Sequence, residues 1–213
     1  MPEQSLWVWD ERVNQYRETA TGRFIGIEKM NSLRDVYQEQ QNAVLKSFTQ
    51  DYIDGNITIQ QYSDQCRKII KNTYIDMYSM GRGGRNNMSQ ADWGRVGGML
   101  KEQYSYFDKL MGQIERGEIS PAQAMARLKM YINSANEAMW RGYVSNLPFK
   151  LPAYPGDGST ECLTNCRCEW YIVQIEGVGY DCYWRLGEAE HCGDCVEHST
   201  EWNPWKWPES RNA

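Results

Sequence analysis

Between Ile27 and Tyr143 apolar residues recur every three or four positions, and each run is closed by a glycine turn and restarted by a capping residue. The first run places Met30, Leu33, Tyr37, Val44, Leu45, Phe48 and Tyr52 mostly at helical spacing. It ends at Asp54-Gly55-Asn56, where Gly55 suits a left-handed closing position. Thr58 then caps a second helix, with Ile57 placed to staple against Tyr62. The stripe Ile59, Tyr62, Cys66, Ile69, Ile70, Thr73, Tyr74, Met77 is the cleanest in the chain, and Gly81-Arg-Gly-Gly-Arg-Asn-Asn interrupts it. Ser89 and Asp92 form a capping box for a third helix through Trp93, Val96, Leu100, Phe107, Leu110 and Ile114. Ser120-Pro121 opens a fourth, which carries Met125, Leu128, Tyr131, Ile132, Ala135 and Met139. Gly55-Asn-Ile-Thr and Gly117-Glu-Ile-Ser sit at matching places, as two helical hairpins require, although good helix junctions resemble one another without any repeat.

The flanks follow other rules. Residues 1–26 read as an irregular or short-stranded N-terminal arm, with a Thr-Gly turn and no sustained period. Residues 147–160 hold three prolines and two glycines, which exclude a helix and mark a linker. Beyond it, Cys168 to Ile175 alternates as a strand, Glu176-Gly-Val-Gly179 turns, and Tyr180 to Leu186 returns as a hairpin. The closing Glu201-Trp-Asn-Pro-Trp-Lys-Trp-Pro packs back across it. The expected architecture is therefore mainly α: an antiparallel helical body (27–146) followed by a small α+β, β-hairpin module (161–213).

Composition sharpens that division. Six of the seven cysteines fall between Cys162 and Cys195, and five of the nine tryptophans lie at or beyond Trp170. Two clusters bracket the hairpin, Cys162-Leu-Thr-Asn-Cys166-Arg-Cys168 and His191-Cys192-Gly-Asp-Cys195-Val-Glu-His198. Zinc takes four thiolate or imidazole ligands in a tetrahedron, and short-spaced pairs at both ends of a hairpin supply them. Cys162, Cys166, Cys192 and Cys195 are the first choice, with Cys168 the reserve. His191 and His198 are alternative fourth ligands, or flanking groups that hydrogen-bond thiolate sulfur. Disulfides, buried thiols (fitting Cys66 and Cys182) and a redox Cys-x-x-Cys are the competing readings. Four thiolates leave no open position for water, so such a zinc is structural and gives no sign of an enzyme.

Charge and motif exclude other classes. No apolar stretch approaches the ~20 residues of a membrane span, and the N-terminus lacks signal-peptide features, so a cytosolic origin with reduced thiols is expected. The net charge of −5 is concentrated late: residues 152–213 carry four Lys/Arg against eleven Asp/Glu. That opposes nucleic-acid binding by the tail, although residues 67–101 hold seven Lys/Arg against two acids. Weak DNA contact through Arg82, Arg85 and Arg95 is the residual expectation. The Gly81–Asn87 loop lacks the preceding strand and the Lys-Ser/Thr of a phosphate-binding loop. No carboxylate stands in an apolar setting that would raise its pKa.

Pro155-Gly-Asp-Gly-Ser-Thr-Glu-Cys-Leu-Thr-Asn-Cys-Arg-Cys-Glu-Trp resembles the tailed-phage head morphogenesis proteins, the Mu F-like minor head family. Trp184-Arg-Leu-Gly-Glu-Ala-Glu-His-Cys-Gly-Asp-Cys and Tyr16-Arg-Glu-Thr-Ala-Thr-Gly-Arg-Phe are similar to further stretches of that family. In many of its members the Cys-x-x-Cys pair precedes the Asn-Cys-Arg-Cys block, whereas here it follows. The resemblance implies a minor structural protein, made in the host cytoplasm and destined for the virion head, with portal or major capsid protein as partner. It carries over to Cys162, Cys166, Cys168, Cys192 and Cys195 alone. A zinc-ribbon regulator that binds nucleic acid is the alternative.

Overall fold

The computed structural model describes residues 7–13, 15–188 and 190–208, so the outer ends of the expected arm and module (1–6 and 209–213) lie outside the described residues. The chain opens with Trp7–Asp10 (β1), Gln15–Glu18 (β2) and Phe24–Ile25 (β3), an antiparallel sheet in that order. Of the two forms expected for the arm over 1–26, irregular or short-stranded, the described residues take the short-stranded one. Trp7, Trp9 and Tyr16 alternate inward and are buried. The Trp7 indole donates to the Met80 carbonyl (3.0 Å) and the Tyr16 hydroxyl to that of Gly81 (2.5 Å). Four-residue strands among charged neighbours carry too little periodicity to be told from loop by sequence.

The helical body is mainly as expected. Ile27–Ile53 (α1), Ile59–Arg82 (α2), Gln90–Glu115 (α3) and Pro121–Val144 (α4) follow in order. Thr58, Ser89 and Ser120 each accept a bond from the amide three residues on, at 3.2 Å in every case. Gln61, Asp92 and Gln123 return it, so all three starts are full capping boxes. Gly55 and Gly117 are left-handed, at φ 74° and 67°.

Backbone proximity fixes how α2 meets α4. A Cβ added at Gly81 would lie 1.9 Å from the Met139 carbonyl oxygen, and one at Gly142 would lie 2.2 Å from that of Tyr78. The two helices therefore touch main chain to main chain. Around this crossing Tyr74, Met77, Tyr78, Ile132, Ala135, Met139 and Trp140 are buried. The expected glycine break after α2 is a second contact point. Gly83 (φ 81°) lets the Trp9 backbone approach, and the Gly84 amide caps α2 through the Ser79 carbonyl at 2.7 Å.

The face that α1 turns to α4 is polar, contrary to its apolar pattern. Arg34, Asn31 and Gln38 are buried there, and Val44 is exposed. Arg34 donates to Asn136 Oδ1 (3.1 Å) and Gln38 to the Ile132 carbonyl (3.1 Å), which offsets their desolvation.

Residues 147–160 hold no helix or strand, yet Phe149, Leu151, Ala153 and Tyr154 are buried, so this stretch is packed chain rather than a loose tether. The hairpin follows as Glu169–Ile175 (β4) and Gly179–Arg185 (β5), in register from Glu169–Arg185 to Ile175–Gly179. A nine-residue helix that the sequence reading does not contain, Gly193–Glu201 (α5), comes next, and Trp205–Trp207 (β6) pairs antiparallel with β5. The tail thus returns across the hairpin as expected, and does so as its third strand. No helix among the described residues is long and apolar enough to cross a membrane.

Asp92 ties the end of α2 to the start of α3. It is 1% exposed and accepts from the Tyr78 hydroxyl (2.7 Å), the Ser89 amide (2.9 Å) and hydroxyl (2.8 Å), Arg95 (2.8 Å) and Arg82 (3.3 Å). Burial pushes its pKa up, but Tyr78, Ser89 and Arg82 more than offset this and hold it down at about 2.

Two outcomes follow for stability. Gly142→Ala forces the α2–α4 crossing apart and lowers unfolding free energy by about 1–3 kcal/mol. Gly97→Ala, in open space on α3, raises it by about 0.5–1 kcal/mol, both read from urea midpoints. Because the folded pKa of Asp92 is depressed, its contribution of about 2 kcal/mol is present above the ordinary carboxylate value and lost as pH falls from about 4 through about 2. Asp92→Asn is then less stable than the parent protein at pH 6, and the difference closes towards pH 2.

Candidate metal centre

From Asn165, which closes a 3₁₀ turn, to Glu169, which opens β4, outward-facing residues alternate with buried ones. The odd positions grip the helical body: Asn133 donates to Asn165 (3.1 Å), Arg167 pairs with Asp35 (3.7 Å), and Asn31 donates to Glu169. Upstream, Asn136 Nδ2 donates to the Pro155 carbonyl (3.2 Å). The even positions, Cys166 and Cys168, are buried at 3% and 2% exposure. Ahead of them, Cys162 opens a single 3₁₀ turn, Leu163–Asn165. Leu163 there has φ 49°, the positive value among described non-glycine residues that lets the chain double back.

The second cysteine pair sits at the start of α5, with Cys192 at its N-cap and Cys195 in its first turn. Two reciprocal bonds clasp this helix to the first loop. The Glu161 amide donates to Asp194 Oδ2 (2.8 Å), and the Gly193 amide to Glu161 Oε2 (3.2 Å). Five sulfurs converge as a result. Cys162 Sγ lies 3.7 Å from Cys195 Sγ and 3.6 Å from Cys192 Sγ, and Cys166 Sγ lies 3.7 Å from Cys195 Sγ. They form two triads, Cys162-Cys192-Cys195 and Cys166-Cys168-Cys195, each with sulfurs within 4.8 Å of one another. All five are free thiols, far beyond the ~2 Å of a disulfide. A tetrahedral ion with zinc–sulfur bonds of about 2.3 Å has sulfur–sulfur edges of about 3.8 Å, close to the spacings found.

Without a cation such crowding resists ionisation. The adjoining Cys168 thiol and burial push Cys166 far up, burial pushes Cys162 up to about 11, and burial with the Cys192 thiol raises Cys195. At Cys192 burial raises the value, but the Cys195 and Cys162 amides and thiols outweigh it, and the net shift is downward. A bound dication reverses this pattern, because each thiolate then faces positive charge. The arrangement can therefore hold a soft metal ion.

The remaining candidates are placed elsewhere. Neither His191 nor His198 belongs to the thiol triads. His191 is exposed, and His198 stacks on Trp202 at 4.0 Å with its edge to Trp184. Trp202 also stacks on Trp170 (5.3 Å), so His198 belongs to the aromatic wall beside the cluster. Cys66 and Cys182 are buried apart from it, each pushed up to about 12 by burial. Arg82 and Arg95 pair with Asp92, and Arg85 with Asp76. The Gly83 and Gly84 amides are used by the carbonyls of α2, which leaves no phosphate cradle. Glu137 departs from the expectation that no carboxylate is perturbed: burial raises its pKa against the opposing pull of Arg141 at 2.5 Å. A cleft of about 530 Å³ between β3, the end of α4 and β4 is lined by uncharged residues, among them Trp9, Tyr16, Phe24, Tyr143 and Tyr171.

No protein-family model, curated protein or solved structure matches this chain.

Substitutions separate cluster cysteines from packing cysteines. Cys195→Ser, at the sulfur common to both triads, abolishes metal retention through gel filtration and loosens the C-terminal module, seen as loss of near-ultraviolet tryptophan dichroism. Cys182→Ala leaves metal content unchanged and costs about 1 kcal/mol in denaturant unfolding.

Proposed function

We propose that this protein is a non-enzymatic assembly factor of tailed-phage heads, in which one structural zinc ion fastens the C-terminal module. The observation that carries the zinc reading is the convergence of thiols from both ends of one hairpin, three of whose separations, 3.6–3.7 Å, match the edge of a tetrahedral site, with Cys195 common to the two groups. Cys162, Cys166, Cys192 and Cys195 are the proposed ligands, joined in series by the three shortest contacts, with Cys168 adjoining. A closed thiolate set offers substrate no open coordination position, so the ion stabilises rather than catalyses. It also suits the module, whose hairpin and nine-residue helix enclose little core of their own.

The assembly role rests on the resemblance of residues 155–170 and 184–195 to the Mu F-like minor head proteins. Two physical features support a protein partner over DNA. The arginines considered for DNA contact are engaged by acids, Arg82 and Arg95 sharing Asp92 and Arg85 pairing with Asp76, and the C-terminal third is acidic. Exposed apolar residues meanwhile lie along α1 (Val36, Val44, Ile53) and α3 (Trp93, Tyr106). On this reading the chain acts in the host cytoplasm during head assembly, binds portal or major capsid protein through helical faces and its aromatic tail, and enters the virion head.

Elemental analysis of the purified protein is expected to find one zinc per chain. Co-expression with the portal and major capsid proteins of the same phage is expected to yield a complex that survives gel filtration. A metal-free protein with an unchanged cooperative melt removes the zinc reading. Zinc-loaded protein that binds neither partner, yet shifts duplex DNA with steep salt dependence, replaces the assembly role with nucleic-acid binding.

A further inference from the structure

A tetrahedral zinc site uses four thiolates, and this cluster holds five. The fifth is not a bystander at a distance: Cys168 is 2% exposed and lies with Cys166 and Cys195 inside a single 4.8 Å group. The sulfurs are grouped as two triangles with one shared corner, Cys195, itself 1% exposed. Two features of the chain maintain that grouping without any ion. The Glu161–Asp194 clasp holds Cys162 against the start of α5, and the bonds from Asn165, Arg167 and Glu169 to the body hold Cys166 and Cys168 on the other side.

Three thiolates in a triangle are the coordination preferred by a soft monovalent d¹⁰ ion, whereas zinc requires a fourth ligand. A planar three-sulfur site with metal–sulfur bonds of about 2.3 Å has edges of about 4 Å, within the limits of both triads. Thiolate ligation also favours Cu(I) over harder divalent ions. We propose that the five sulfurs accept two Cu(I) ions, one in each triad, with the Cys195 thiolate bridging them. This rests on the cluster being a metal site, and extends it from one zinc to a second ion class and stoichiometry.

The exchange balances without any redox step. Two Cu(I) enter, one Zn²⁺ leaves, and the fifth thiol releases its proton to solvent. The local charge passes from −2, for four thiolates and a dication, to −3, for five thiolates and two monocations. Sulfur forms no sulfur–sulfur bond, and copper keeps its oxidation state.

The test uses the zinc-loaded full chain under anaerobic conditions, with Cu(I) supplied as its bicinchoninate complex. Released zinc, bound copper and the copper X-ray absorption spectrum are followed together. The expected result is two Cu(I) bound and one zinc released per chain, with a copper–copper scattering path from the shared sulfur. Cys168→Ala is expected to retain one zinc but to take one Cu(I) and lose that path, with tryptophan dichroism confirming its fold. Cys162→Ala, at the opposite triangle, is expected to take one Cu(I) as well, which covers the case in which the Cys168 variant does not fold. Saturation of the parent protein at one Cu(I), or two copper ions with no copper–copper path, overturns the proposal while zinc content leaves the single-ion site standing. Binding of neither metal overturns both.

Discussion

The C-terminal third depends on a period of two across five residues. From Asn165 at the end of the 3₁₀ turn to Glu169 at the start of β4, successive side chains alternate between the surface and the interior. Asn165, Arg167 and Glu169 bond to α1 and α4, and the intervening Cys166 and Cys168 are left facing the sulfur cluster. Slipping the segment by one residue would reverse both sets at once. It would direct two charged side chains among thiols and two thiols at a polar helix seam. The Asn-Cys-Arg-Cys-Glu text is thus one constraint written on two faces, which anchors the module and presents its ligands.

That constraint accounts for the polar seam of α1. Asn31 and Arg34 are buried where an amphipathic reading expects apolar packing, at a cost that hydrogen bonding must offset. Asn31 accepts from Arg34 and donates across the seam to Glu169, and Arg34 also donates to Asn136, whose own amide holds the Pro155 carbonyl. The body therefore specifies where residues 155–169 lie through directional bonds rather than through grease. The glycine contact of α2 with α4 and the Asp92 junction make the platform beneath that seam rigid.

Much of this was legible in the sequence, and the pattern of failures is physical. Helix boundaries at Thr58, Ser89 and Ser120 could be read because caps are local: one side chain and one amide three residues on. The convergence of the cysteines was readable as spacing, since two short-spaced groups joined by a hairpin have few other arrangements. The docking of the N-terminal sheet was not, because Trp7 and Tyr16 are held by carbonyls of α2 more than sixty residues away. Nor was α5, whose nine residues are too few for a helical period to stand out and whose start is clasped by Glu161. The fifth thiol was read as a reserve ligand, because spacing alone does not reveal that two triangles share a corner.

Function turns on what these structural demands leave over. On the proposed reading the cluster cysteines surround an ion and are unavailable as nucleophiles, and the two histidines are either exposed or stacked in tryptophan. Arg82 and Arg95 share Asp92 and Arg85 pairs with Asp76, so most of their charge is balanced within the fold. Among the accessible side chains are apolar ones, valines and an isoleucine on α1 and aromatics on α3, beside the uncharged cleft between β3 and β4. A surface of that composition gains most by burial against another protein. On the proposed reading, an ion that keeps the acidic, aromatic module fixed to such a body contributes to recognition by shape, since a rigid face loses less conformational entropy when a partner closes on it.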